Sequence, residues 1–337
     1  MGLNQFHDIL PGSAIAWVHR QARADYVRDI ARLRDIAAEA GASIASVRDD
    51  ADMRSNAAIV PYTAKNGDSW IARTAAVGTQ DDDANGTDAV ADESTIATTC
   101  DDGRIILDNG LLRAIIAPDG TVRSLIDLDN GHELVPDGSG IGHYEPYEWD
   151  AWDIQRDAFL SAEGIDDSHV ERVTETKRGG ATVHVSSTTD GVSIDACITL
   201  RAKSKSLEFR TKVDWRASER FLKVDIPMAI QADRAQYECQ YGMVERPIQK
   251  NTRSDEAKYE SCTHRFVRVA DAGYAAAVVN ASTYGSDVSP IHRNTASGPV
   301  RGTMIRLSLL SSPLYPDPNT DKGVHEFAWN VVADASM

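Results

Sequence analysis

The clearest helical pattern of the chain lies near its start. Apolar residues recur there every three or four positions, which places them on one face of a helix. Ser13 is a suitable N-cap after the Pro11-Gly12 breaker, and Gly41 is a suitable C-cap. The pattern predicts one long amphipathic helix whose apolar stripe must pack against other helices or a sheet. The stripe comprises Ile15, Val18, Ala22, Tyr26, Ile30, Leu33 and Ala37.

From about Arg104 onward, apolar and polar residues alternate with a period of two, which is typical of strands. Turn sequences at Pro118-Asp119-Gly120 and Asp190-Gly191 predict two β-hairpins. Short turns and little helix favour a large antiparallel β-sandwich. The predicted strands span 111–117, 121–127, 181–189, 192–201, 206–215, 221–230, 266–269, 274–280, 304–310 and 325–332.

Three segments follow from these patterns. Residues 1–55 form an N-terminal helical segment, and residues 101–337 form the β-sandwich domain. Residues 56–100, which are rich in Ser, Thr and Ala and contain the Asp81–Asp83 run, are predicted to be a linker with edge strands. The expected fold class is therefore mainly β with an N-terminal helical segment.

Composition narrows the class of partner. The 337 residues carry a formal net charge of −16, which argues against nucleic acid or an anionic membrane as the main partner. No apolar run is long enough to span a bilayer. The start of the chain has no secretory signal pattern, and the four cysteines form no Cys-x-x-Cys pair. A cytoplasmic protein with free thiols is expected.

The densest cluster of polar residues is the run from Asn4 to Gly12, just before the predicted helix. In it His7 stands next to Asp8. A neutral imidazole is a good ligand for a divalent metal, and a carboxylate binds metals or sugar hydroxyls. By spacing alone, the signal is weak, because a lone His-Asp pair near a terminus is more often only hydrogen-bonded or solvated.

The run from Asn4 to Ile15 resembles the signature found at the end of the catalytic domain in the α-mannosidases of glycoside hydrolase family 38. Further matches follow in order along the chain. They include Asn109–Arg113, Trp149–Ile154, Glu245-Arg246-Pro247, Tyr284-Gly285 with Asp287-Val288, Ile305–Leu310, Tyr315–Pro318 and His325-Glu326-Phe327. The resemblance thus covers positions 4 to about 330.

The resemblance implies that His7 is a ligand of an active-site zinc ion and that Asp8 contacts sugar hydroxyls. It implies a retaining hydrolysis of terminal α-mannosides of glycans, in which one carboxylate attacks the anomeric carbon and a second protonates the leaving oxygen. In the family these two catalytic residues belong to a barrel that precedes the motif. We therefore expect no catalytic residue in this chain and no activity of the chain alone. Its expected partner is the missing catalytic barrel.

The resemblance also assigns residues 1–55 to the end of the catalytic domain and a helical-bundle segment. It implies that the β-sandwich is of the galactose-mutarotase type. The zinc site is expected to be empty in a chain that lacks the other ligands.

Two aromatic segments allow two interpretations each. Trp149 and Asp150, with Trp152 and Asp153, can stack on a pyranose and accept its hydroxyls, or can fill a packed corner in which the acids cap turns. The Tyr315–Pro318 loop is either purely structural or abuts the catalytic domain. Arg246 and His264 can line a groove or make structural contacts.

Two other functional classes stay open at this stage. The chain can be a free-standing carbohydrate-binding β-sandwich that uses its Trp residues as a platform. It can instead be a non-catalytic assembly subunit that binds a separate catalytic half through the apolar stripe of the helix. A homo-oligomer is compatible with either class.

Overall fold

The structure of the chain is a computed structural model. It describes residues 2–39, 62–63, 69–70, 95–137, 139–145, 150–154, 163–165, 167–176, 179–258, 260–281, 283–295 and 298–334. The segment predicted to be a linker therefore lies mostly outside the described residues, and the boundaries of the three segments stay predictions.

The predicted N-terminal helix is present as α1 (Ala16–Glu39), preceded by a 3₁₀ turn, η1 (Gly2–Gln5). It begins three residues after Ser13, so the predicted N-cap is wrong. The Ser13 hydroxyl is used instead for a hydrogen bond to Asp8 Oδ1 at 3.5 Å. Gly41 lies outside the described residues. The hydroxyl of Tyr26 donates to the carbonyl of Asn4 at 3.2 Å, which fixes the polar run beside the helix.

Helix α1 buries only part of its apolar stripe. Ala22 is buried, whereas Ile15, Ile30 and Leu33 are exposed. Burial raises the pKa of the Asp321 carboxyl, which precedes the last strand, and the charges of His325 and of Arg23 on α1 oppose this rise. None of the described helices is long and apolar enough to cross a membrane.

The rest of the described chain is almost entirely β, with one further short helix, α2 (Arg253–Glu256). The strands are β1 (Tyr62–Thr63), β2 (Ser69–Trp70), β3 (Ile96–Thr99), β4 (Ile105–Asp108), β5 (Leu112–Ile116), β6 (Val122–Asp127), β7 (His132–Glu133), β8 (Gly142–Glu145), β9 (Glu163–Gly164), β10 (Asp167–Glu175), β11 (Ala181–Thr189), β12 (Val192–Leu200), β13 (Ser206–Trp215), β14 (Phe221–Met228), β15 (Arg234–Cys239), β16 (Gly242–Pro247), β17 (Ser261–Cys262), β18 (Phe266–Ala270), β19 (Ala275–Asn280), β20 (Gly285–Thr295), β21 (Gly298–Ser311) and β22 (Gly323–Val332).

These strands form four antiparallel sheets. The largest has nine strands in the order β10-β11-β12-β13-β22-β19-β18-β15-β16, and the second has six in the order β17-β20-β21-β14-β8-β9. A five-stranded sheet contains β3 to β7 in chain order, and β1 pairs with β2. Both predicted hairpins are confirmed as β5-β6 and β11-β12. Gly120 fits the first turn because its φ is +80° and a Cβ there would collide with Val185.

The two large sheets pack face to face. Leu207 and Trp329 from the nine-stranded sheet share one core with Val224 and Ile226 from the six-stranded sheet. The ring of His143, on β8, meets Trp329 edge to face, with centroids 5.8 Å apart. This arrangement confirms the predicted fold class, a large antiparallel β-sandwich after an N-terminal helix.

A buried polar cluster ties the five-stranded sheet to the nine-stranded sheet. Asp127, at the end of β6, is fully buried. It accepts a hydrogen bond from the Tyr274 hydroxyl at 2.9 Å and lies 3.1 Å from the Lys205 ammonium. Since buried carboxylates are costly unless they are paired, these contacts fix the relative position of the two sheets.

Candidate functional site

The polar run before α1 forms an exposed turn. The side chain of His7 is 76% exposed, and its Nε2 lies 3.6 Å from Asp8 Oδ2. The ring of Phe6 packs on the imidazole, with centroids 4.1 Å apart. The side chain of Asp8 is 44% exposed, and the hydroxyl of Ser13, three residues before the helix, donates a hydrogen bond to it. The turn thus presents an imidazole and a carboxylate together, as the motif predicted.

This pair does not make a metal site by itself. Zinc sites in proteins have three or four protein ligands. In the part of the chain that the structure describes, no three His, Cys, Asp or Glu side chains are grouped so that they could hold a metal ion. The donors present therefore fit one corner of a zinc site at most.

The second predicted segment lies at a turn beside the six-stranded sheet. Trp149 lies outside the described residues. Asp150 Oδ1 accepts hydrogen bonds from the backbone N–H of Trp152 at 2.9 Å and of Asp153 at 3.2 Å. Asp150 also forms a parallel bridge with Tyr315. The carboxylate thus caps its own turn, while contact of Trp149 or Asp150 with sugar stays a prediction.

The Asp150 turn and the Tyr315–Pro318 loop present two aromatic rings side by side. The rings of Trp152 and Tyr315 have centroids 5.3 Å apart, and each residue is more than half exposed. The turn forms one wall of an open pocket of about 350 Å³. The pocket is lined by Ala151, Trp152, Asp153, Ile154, Phe221, Ala257, Glu260 and Ser311.

Behind this pocket lies a buried charged network that the sequence did not reveal. Lys223 is fully buried, and its ammonium lies 2.8 Å from Glu260 Oε2 and 2.9 Å from Asp287 Oδ2. It also donates to Ser308 Oγ at 3.0 Å, and Ser308 in turn donates to Glu260 Oε1. The Lys223 ammonium lies 4.9 Å from the centroid of the Phe221 ring, in the wall of the pocket.

Arg306 extends the network away from the pocket. Its guanidinium donates to Asp287 at 2.8 Å and to Asp225 at 3.1 Å. Each charge of the network therefore has a partner of opposite sign, as burial requires. Between them, Lys223 and Arg306 hold three carboxylates, those of Glu260, Asp287 and Asp225.

The pKa values of Glu260 and Lys223 are both raised, but for different reasons. Burial raises the pKa of the Glu260 carboxyl, and the Lys223 ammonium only partly opposes this effect. Burial alone would lower the pKa of Lys223, but the Glu260 and Asp287 carboxylates outweigh it and leave that pKa raised. Lys223 is therefore a permanent cation at neutral pH.

The alternation of residues on three neighbouring strands builds this network. Lys223 and Asp225 on β14 face the same side as Asp287 on β20 and as Arg306 and Ser308 on β21. The intervening residues Val224, Ile226, Val288, Ile305 and Leu307 face the core. The period-two pattern predicted β14 and β21 correctly but did not predict β20. It gave no sign that the polar face is buried too, since alternation defines two faces without showing what covers them.

The other two candidate residues do not line this pocket. Arg246 is on β16, the edge strand of the nine-stranded sheet. The ring of His264 packs edge to face on Tyr284, with centroids 5.5 Å apart, which is a structural contact.

Comparison with solved structures first defines the class of the domain. An α-mannosidase from Enterococcus faecalis V583 shares the fold with a TM-score of 0.55 at 15% identity, over 71% of this chain and 30% of that one. A second glycosyl hydrolase family 38 protein from Enterococcus faecalis matches with a TM-score of 0.53 at 14% identity, over 71% of this chain and 31% of that one. The β-sandwich is thus of a class that also occurs in α-mannosidases.

The sequence comparisons then identify the family. Residues 107–319 match the model of the glycosyl hydrolases family 38 C-terminal domain, and residues 1–44 match that of the alpha mannosidase middle domain. The chain belongs to glycosyl hydrolase family 38, which confirms the resemblance.

Two curated relatives show how much of the family protein the chain covers. It is 30% identical to mouse alpha-mannosidase 2C1 over 68% of this chain and 22% of the relative. It is 28% identical to an alpha-mannosidase of Saccharomyces cerevisiae over 98% of this chain and 30% of the relative. The chain therefore spans less than a third of the length of either relative.

Proposed function

We propose that this chain is part of a retaining, zinc-dependent α-mannosidase that hydrolyses terminal α-mannosides of glycans. The observation that carries the proposal is the order of the two family matches, middle domain and then C-terminal domain, over residues 1–44 and 107–319. The curated relatives are α-mannosidases in which these segments make up a minor part of the protein. The nucleophile and the acid would reside in a catalytic barrel outside this chain.

Within that enzyme, the exposed turn before α1 would face the catalytic barrel. His7 would supply one zinc ligand and Asp8 would accept hydrogen bonds from sugar hydroxyls; the barrel would supply the other ligands. A bound zinc ion would orient the sugar and stabilise charge. The exposure of the His7 ring and its contact with Asp8 support this assignment.

The partner surface would include helix α1. Its exposed Ile30, Leu33 and Ile36 form an apolar stripe that another segment of an α-mannosidase would cover. All four cysteines are free, which supports a cytoplasmic enzyme because disulfides are rare in that compartment.

Hydrolysis of an aryl α-mannoside tests the proposal. The chain is assayed alone and after co-expression with the polypeptide encoded directly upstream of Met1. We expect the two polypeptides to co-purify and to hydrolyse the α-mannoside but not the aryl β-mannoside, while the chain alone is inactive. Co-purification without hydrolysis, or activity of the chain alone, contradicts the proposal.

A carbohydrate-binding module without catalysis is the second candidate. The exposed pair Trp152 and Tyr315 favours it, since adjacent exposed aromatic rings provide a stacking surface. Saturable binding of α-mannobiose by this chain, together with no hydrolysis in the co-expression experiment, would support this candidate over the enzyme.

A further inference from the structure

We propose that the pocket between Trp152 and Glu260 is a subsite for one pyranose ring of the glycan. In it the Glu260 carboxylate accepts hydrogen bonds from sugar hydroxyls, and Lys223 is a positioning residue that holds this carboxylate. The inference deepens the proposed function and rests on it for the class of sugar.

The walls of the pocket match the two kinds of surface that a pyranose has. Trp152 offers an exposed ring to the apolar C–H face of a sugar, and Tyr315 supports it at 5.3 Å. Asp153 and Glu260 line the pocket and carry carboxylates, the groups that accept hydrogen bonds from sugar hydroxyls. The volume of about 350 Å³ is at the lower end of the range for small-ligand pockets, which suits one ring rather than a long chain.

Glu260 is the member of the buried network that reaches the pocket. Its side chain is 19% exposed, whereas those of Lys223 and Asp287 are 0% and 8% exposed. Within the described part of the chain, its two carboxylate oxygens accept from Lys223 and Ser308, one donor each. A carboxylate has about four acceptor positions. The geometry therefore leaves acceptor capacity on Glu260 for a ligand in the pocket that it lines.

Lys223 cannot itself serve the ligand. Its ammonium lies within 3.0 Å of three oxygens, those of Glu260, Asp287 and Ser308, and an ammonium has three N–H donors. Held from several sides and fully buried, it fixes the Glu260 carboxylate on the pocket side of the sheet. Preorganised acceptors of this kind lose little freedom when a ligand binds.

The test is isothermal titration of this chain with methyl α-mannoside and α-mannobiose. We expect saturable binding that weakens about tenfold in Glu260→Gln, a loss of about 1.4 kcal/mol. The matched control is Glu171→Gln, an exposed carboxylate on β10, which leaves the affinity unchanged. For the aromatic wall, Trp152→Ala weakens binding about tenfold, whereas Tyr241→Ala, a fully exposed ring elsewhere, does not.

The positioning role has a readout of its own. Ser308→Ala removes one donor to Glu260 and one acceptor of Lys223, but the ion pairs of Lys223 with Glu260 and Asp287 remain. We therefore expect the variant to stay folded, as thermal unfolding will check. Loss of a donor to a carboxylate raises its pKa. The pH below which sugar binding is lost should therefore move upward in Ser308→Ala, a shift that general destabilisation would not produce.

Three results overturn the inference. These are the absence of saturable binding at tens of millimolar sugar, equal loss in Glu260→Gln and Glu171→Gln, and an unchanged pH profile in Ser308→Ala. The proposed function fails separately, in the hydrolysis assay. If the co-expressed pair hydrolyses the α-mannoside and Glu260→Gln has no effect on sugar binding, only the subsite proposal is contradicted. If sugar binding depends on Glu260 but the pair does not hydrolyse the α-mannoside, only the proposed enzyme function is contradicted.

Discussion

At the scale of single residues, buried charged side chains are held by partners of opposite charge. Lys223 and Asp127 both lie on strands, and both are buried among partners of opposite charge. Their strands were predictable from the sequence because neighbouring apolar residues alternate. Their partners were not, since Glu260 and Tyr274 come from strand connections 37 and 147 residues away. Pairings at such separations leave no periodic signal in one sequence.

Asp127→Asn tests the tie between the five-stranded and nine-stranded sheets. Burial alone would raise the pKa of Asp127, but hydrogen bonds from Tyr274 and Lys205 outweigh it and lower that pKa. The stability that the carboxylate contributes is therefore present at neutral pH and is lost as the pH falls below its ordinary value of 3.8. Urea unfolding at pH 7 should show a loss of about 2–3 kcal/mol in Asp127→Asn.

The control for that variant is Asp129→Asn. Asp129 pairs with the same Lys205 at 2.6 Å but is 53% exposed, so its removal should cost less than about 1 kcal/mol. Equal losses in the two variants would show that the buried carboxylate has no special role.

His143 predicts a second pH dependence. Burial lowers the pKa of its imidazole from 6.5 to about 4, so the unfolded chain binds a proton that the folded chain does not. The stability contributed by neutral His143 is complete above pH 6.5 and is lost as the pH falls toward 4. At pH 5 this loss amounts to about 2 kcal/mol relative to pH 7.

The measurement compares the pH dependence of urea unfolding in the parent chain with that in His143→Phe. The variant should lose about 2 kcal/mol less than the parent between pH 7 and pH 5. His169→Phe, which replaces an exposed histidine on β10, should retain the parent's pH dependence. An identical pH dependence in the parent and in His143→Phe would refute the prediction.

At the scale of elements, strands and hairpins were easier to predict than the ends of the helix. Turn residues such as Gly120 mark hairpins directly, because only glycine fits the positive φ and the close contact there. Serine is a residue type that often caps helices, but the Ser13 hydroxyl donates to Asp8 instead, and α1 begins only at Ala16. The sequence could not show which apolar residues of α1 would be exposed. A periodic pattern of apolar residues defines a helix face but does not show which element covers that face.

Leu33→Glu tests whether this stripe is a partner surface. Leu33 is 48% exposed, so a charge there should change the thermal unfolding of the chain little. Co-purification with the upstream polypeptide should fall at least about tenfold, because a carboxylate would have to be desolvated in the interface.

The matched control is Ala24→Glu, an exposed position on the opposite side of α1. It adds the same charge and should leave co-purification intact. Equal effects of the two substitutions would indicate general charge repulsion rather than docking through the stripe.

At the scale of the whole molecule, the chain is a β-sandwich with one long helix, and it covers 22% and 30% of two α-mannosidase relatives. The family could be recognised from ordered motifs, and the family models confirm it. The zinc assignment of His7 could not be derived from geometry, because the described residues supply two donors rather than a full ligand set. The enzyme account therefore depends on a partner domain that completes the site.

The most direct test of that account is the effect of His7→Ala on the co-expressed pair, measured as bound zinc and as kcat/KM for an aryl α-mannoside. We predict that zinc is lost and that kcat/KM falls about 100-fold or more, since even outer-shell changes at metal sites cost 10–100-fold. His169→Ala should alter neither value. Full zinc content and unchanged kcat/KM in His7→Ala would contradict the role of this chain in the active site.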